Sequence, residues 1–142
     1  MQNGLADQPF SEERAQKSCA RYLRLLLFLV GMHSMGLGVL IYFFTDLFYR
    51  VFFLVKIENL FFVRQSGLFL FCLGLFYIVP VIDLKKYHVV IYAVIATKFL
   101  AVLFLITNAA LAPWPGILQV AAGLDGLMAI LMGYLHYRSK LP

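Results

Sequence analysis

Four apolar stretches, residues 22–44, 60–82, 89–110 and 114–137, dominate this 142-residue chain. Each holds about 20 residues or more, the length a helix needs to cross about 30 Å of hydrocarbon. In lipid, only helices and closed barrels satisfy every backbone group, so predominantly apolar runs of this length read as helices. The expected fold class is therefore an all-α integral membrane protein, a four-transmembrane-helix bundle in one domain over residues 1–142. Composition agrees: 63% of residues are hydrophobic and 13% charged, against about half and a quarter in soluble domains. A core of this size cannot hide that excess, so lipid is the expected partner and nucleic acid is not. The first run is about 23 residues long, too long for the apolar region of a cleavable signal.

The flanks refine the picture. Ser11, Glu13 and Arg14 suggest the start of a short N-terminal amphipathic helix, one that can continue into the first span. Between the first two runs lies "TDLFYRVFFLVKIENL". Its apolar residues are crowded between Asp46, Arg50, Lys56 and Glu58, which predicts an interfacial segment lying along the membrane. "IDLKKYH" and "APWPG" predict tight links, with Pro115 suited to a first helical turn and Trp114 to the interface. Basic residues set orientation. Arg14, Lys17, Arg21, Arg24, Lys85, Lys86, Arg138 and Lys140 would share one side, and Arg50, Lys56 and Arg64 the other. This bias predicts both termini in the cytoplasm, in a bacterial inner membrane.

Within the spans, a few polar residues stand out. Lys98 interrupts "VVIYAVIATKFLAVLFLI" and Asp125 interrupts "VAAGLDGLMAIL". Each would cost roughly 3 kcal/mol or more if isolated in the bilayer. Counted by helical rise from the cytoplasmic ends, Lys98 is about 14 Å deep, Asp125 about 18 Å and His33 about 16 Å. Spans joined by a tight turn pack side by side, so Lys98 and Asp125 are the natural ion pair, and His33 is the third titratable residue near their depth. The pair reads first as a structural device that fixes helix register, and second as a proton or ligand site. Tyr77 is expected to hydrogen-bond within the bundle, and Arg64 to reach head groups or Glu58. Asn108 and Gln119 suit helix-to-helix hydrogen bonds. One His, one Lys and one Asp lack the ligand set of a metal site. Cys19 and Cys72 are far apart and in no C-x-x-C pair, so no disulfide relay is expected.

Small residues recur at helical spacing: Gly31, Ser34 and Gly38 in span one, Gly67 and Gly74 around Phe71 in span two, and Ala122, Gly126, Ala129 and Gly133 in span four. Such seams let helices approach closely. The order of "VRQSG", "GLFYIVPVID", a lone lysine in span three and "GLDG" resembles small bacterial four-span proteins of the BphX-like and DoxX-like groups, whose function is unknown. The resemblance covers about residues 64–137. It implies a four-helix inner-membrane fold with Arg64, Gly67, Tyr77, Lys98 and Asp125 as the matching positions, and implies no reaction.

Three functions can be weighed. A non-enzymatic bundle that binds a lipid or small hydrophobe, or serves as an accessory subunit of a membrane complex, fits every feature. A small proton-coupled transporter would need to dimerise and would relay protons through Lys98, Asp125 and His33. Four-span drug exporters, however, carry an acid in the first helix, and this chain has none there. A membrane enzyme ranks last, because neither a thiol pair nor a histidine box is present. No catalytic residue, cofactor or metal is expected.

Overall fold

A computed structural model describes residues 8–53, 59–111 and 116–140. The elements are α1 (Gln8–Phe43), α2 (Thr45–Phe52), α3 (Leu60–Ile82), α4 (His88–Leu111) and α5 (Ile117–Ser139). The protein is an all-α bundle, and α1, α3, α4 and α5 are long and apolar enough to cross a membrane. Among the described residues there is no strand. Large apolar side chains such as Phe69, Leu100, Leu103 and Phe104 are exposed around the outside, as they are in a protein whose solvent is lipid.

Among the described residues the N-terminal helix continues directly into the first span: the segment around Ser11 lies in one 36-residue helix, roughly 54 Å long at 1.5 Å per residue. It begins at Gln8, so Ser11 is inside the helix rather than at its start. Bundle and hydrocarbon together need only about 20 of those residues, so the first turns project beyond the apolar layer.

The interfacial segment forms α2, at 8 residues too short to span. It follows α1 with a bend rather than a loop. Phe44 leaves helical geometry at φ −117°, yet Phe44 N–H still donates to Leu40 O and Phe48 N–H to Phe44 O, each at 2.9 Å. The buried Thr45 hydroxyl donates to Ile41 O at 2.6 Å and fixes the corner. One face of α2 carries the exposed Asp46–Arg50 pair. The other turns Tyr49 and Phe53 toward Phe104 and Leu105 of α4, and burial pushes the Tyr49 hydroxyl above the usual tyrosine range. Lys56, Glu58, Trp114 and Pro115, for which interfacial or capping roles are expected, lie outside the described residues.

The link between α3 and α4 is as tight as expected. Asp83 Oδ1 accepts from Lys85 N–H at 3.0 Å and from Lys86 N–H at 3.1 Å, and Leu84 is buried beneath the turn. This aspartate therefore organises a connection rather than a site.

Packing is most extensive between α1 and α3, then between α4 and α5, with α1 also against α5 and α3 only lightly against α4. The core of Leu23, Leu27, Val30, Tyr77, Ile91, Val94 and Met132 fills the half of the bundle nearest the chain termini. We call that end the terminal face and the opposite end the distal face.

Candidate functional site

Lys98 and Asp125 sit where that core ends. Val94, one turn below Lys98, and Ala129, one turn below Asp125, are fully buried. One turn above, Val102 and Ala122 already line an open groove, and Gly126 beside Asp125 lines it too. Lys98 Nζ donates to Asp125 Oδ1 at 2.6 Å, with the two side chains 7% and 18% exposed. The lysine stem is long enough to bridge the depth difference between the two backbones, reaching toward the distal face against the usual lean of a helix side chain. At this burial each partner would be strongly disfavoured alone, and the pair neutralises both.

Tyr77 of α3 belongs to the same centre. It is 2% exposed, its ring centroid is 5.9 Å from Lys98 Nζ, and its hydroxyl adjoins Thr97. Thr97 in turn donates to the Ala93 carbonyl at 2.7 Å, which leaves its oxygen free to accept. The ring face toward the ammonium adds a cation–π contact.

His33 is not part of it. The side chain is exposed on the outside of α1. Its neighbour Ser34 points inward instead, 1% exposed and with no hydrogen-bond partner for Oγ. Successive helical residues are about 100° apart, so a one-residue difference decides which polar group enters the bundle. The α1/α3 crossing at Gly31 and Gly74 puts Ser34 near this level, and Tyr77 leans back toward it. Each spanning helix thus sends polar groups inward here: Ser34, Tyr77, Thr97 with Lys98, and Asp125.

Arg64 is exposed at the start of α3, far along that helix from Tyr77, and does not join the centre. Its expected partner Glu58 lies outside the described residues. Asn108 donates to Phe104 O within its own helix at 2.8 Å rather than across to another. Gln119 is exposed and lines the groove.

The groove runs between α4 and α5 toward the distal face. It holds about 730 Å3 and is lined by Val102, Ile106, Ala109, Gly123, Leu127 and Ile130, with Gln119 as its polar member. Small residues on α4 and α5 create the space. A Cβ added at Gly123 would meet nothing within 4 Å, and one at Gly126 only Val102 Cγ2 at 3.7 Å.

His136, near the end of α5, had no warning in the sequence beyond its type; it is 5% exposed with neither ring nitrogen hydrogen-bonded. Its ring stands edge-on to Tyr92, with centroids 4.7 Å apart. No family model, curated protein or solved structure matches the chain, so the reading of the site rests on its own chemistry.

Proposed function

We propose that the chain is a non-enzymatic bundle of the bacterial inner membrane, with both termini cytoplasmic, that holds an acyl chain or small hydrophobe between α4 and α5. It works alone or as an accessory subunit of a larger complex. The observation that carries this reading is the groove of about 730 Å3 with an almost wholly apolar lining, open sideways to lipid. That volume lies within the range of sites for small ligands. The ion pair beside the groove fits a structural role, clasping α4 to α5. The basic bias around the termini supports the orientation, and the resemblance to BphX-like and DoxX-like proteins is in keeping with the compartment.

Photo-crosslinking tests it. A diazirine-bearing fatty acid is added to membranes containing the chain, and the modified peptides are mapped. Label should concentrate on residues 102–110 and 117–130, and Gly126→Phe, which fills the groove, should remove most of it. Even labelling of all lipid-facing helices, unchanged by Gly126→Phe, would overturn the proposal. For orientation, single cysteines are introduced at Lys140 and at Arg50 after replacing Cys19 and Cys72 with serine. An impermeant maleimide outside intact cells should reach position 50 and not position 140.

The alternative is a dimeric proton-coupled carrier, and the buried ion pair is the observation in its favour. Since His33 faces outward, such a carrier would have to bring the histidine in across a subunit contact. Proton uptake into proteoliposomes that is lost in both Asp125→Asn and His33→Ala would favour this reading over the first.

A further inference from the structure

The seam between α1 and α5 does not stop at the hydrocarbon. Within the core, α1 presents Leu23, Leu27 and Val30. Continued toward the N-terminus at the same helical spacing, the stripe becomes Cys19, Gln16, Ala15 and Glu12. Opposite it are Arg138, near the end of α5, and Lys140, which caps that helix. Together these six residues line a cleft of about 140 Å3, close to the size of a cavity that admits benzene.

Its level is fixed by aromatic residues. Tyr22, Tyr134 and Tyr137 are 62%, 58% and 80% exposed around this end of the bundle, the arrangement expected of an interfacial belt. Cys19 lies one turn beyond Tyr22, so the cleft opens among head groups rather than acyl chains.

Its charge is arranged in two parts. Arg138 and Lys140 supply donors on the α5 side, and Glu12 and Gln16 supply acceptors on the α1 side. Lys140 is the one non-glycine among the described residues with positive φ, 47°. This left-handed turn, closed by Lys140 N–H donating to Tyr137 O, ends α5 and turns the chain back so that Lys140 shares the cleft with Arg138.

We propose that this cleft is a head-group site for a phospholipid bearing a primary amine. The phosphate lies on Arg138 and Lys140, and the ammonium donates to Glu12, with Gln16 beside it. An Arg fork and a flexible Lys are the side chains that bind phosphate best. A carboxylate next to them would repel a purely anionic ligand, and it becomes useful when the ligand carries its own cation. The site is independent of the α4/α5 groove, which lies at the other end of the bundle.

Native mass spectrometry of the full chain released from detergent tests it, with phosphatidylethanolamine and phosphatidylcholine of identical acyl chains supplied in equal amounts. The two head groups share phosphate and net charge, and differ in N–H donors. Retention of the ethanolamine lipid should exceed that of the choline lipid by about threefold to tenfold, the effect of one good hydrogen bond. Glu12→Gln should reduce that ratio toward one. R138Q/K140Q should lower retention of both lipids, while K85Q/K86Q, which removes as much charge from the same face outside the cleft, should not. Equal retention of the two lipids by the unaltered chain overturns the proposal. So does a loss in K85Q/K86Q as large as in R138Q/K140Q, which would mean general surface charge. Displacement of the bound lipid by millimolar free phosphoethanolamine would place the ligand in the aqueous phase and overturn the lipid assignment.

Discussion

Between α1 and α3, a Cβ at Gly38 would stand 2.6 Å from both the Gly67 carbonyl oxygen and the Phe71 nitrogen, and one at Gly74 would stand 2.7 Å from Gly31 O. Between α4 and α5, a Cβ at Gly126 would meet only a valine methyl at 3.7 Å, and one at Gly123 nothing within 4 Å. The first pair is held by backbone lying on backbone along much of its length. The second is held by shared core at one end and, where that core stops, by a single ion pair. In lipid the hydrophobic effect does not draw helices together, so close packing and polar bonds must. This protein uses each on a different pair. The difference also explains where space is left: a glycine seam closes its interface, whereas an ion pair anchors one point and lets the helices part beyond it.

The largest test of this contrast is to break the single anchor. Lys98→Met alone and Asp125→Leu alone should each cost about 3–5 kcal/mol, because the remaining charge is stranded, while the double substitution should be near neutral. Reversible unfolding in bicelles measures all three, and simple additivity of the two single effects would mean that the residues do not act as partners. Next is the seam. Gly38→Ala forces two backbones apart and should cost about 1–3 kcal/mol in the same assay, the usual penalty of overpacking. A neutral result would mean that the α1/α3 contact is looser than its geometry. Smaller again is Tyr77→Phe, which removes a buried hydroxyl and keeps the ring over Lys98. The expected loss is about 1 kcal/mol, and a loss as large as that of Lys98→Met would make the hydroxyl part of the anchor itself. Last, Gly123→Ala and Gly133→Ala should leave the fold intact and add up to about 1 kcal/mol each, the helix-propensity difference. If Gly123→Ala destabilises the protein in membranes but not in detergent, α5 meets a second helix there, and the open groove is an interface between copies.

Much of the fold could be read from the sequence because the bilayer sets a length scale. The second span was legible to the residue, as Leu60–Ile82, and α4 extends one residue beyond the expected span at each end. The ion pair was legible for a related reason: two intramembrane charges on adjoining helices have few other ways to be tolerated. The facing of His33 was not. A helix in a soluble protein shows its inner face by a polar outer one. Here lipid and core are both apolar, so the run around residue 33 carries no such contrast. The seams were half legible for the same reason. Gly31 and Gly38 have the same kind of spacing as Gly126 and Gly133, yet only the former meet the backbone of another helix. Spacing reports that a close approach is permitted, and the partner comes from the three-dimensional arrangement.

The ion pair also bears on how the chain enters the membrane during synthesis. α5 is the least apolar span, with a mean hydropathy of 1.6 against 2.6 for α4, and it carries Asp125. On insertion scales a central aspartate costs about 3 kcal/mol, so α5 alone is a poor candidate for lateral release into lipid. With Lys98 already waiting in α4, that cost is met by a bond rather than by bare hydrocarbon. α4 and α5 are therefore expected to leave the insertion machinery together as a hairpin, the lysine acting as a chaperone for the segment made after it. Protease protection of a reporter fused after Lys140 checks this. The reporter should reach its proper side in the unaltered chain and fail to do so in Lys98→Leu, and Asp125→Leu should restore it.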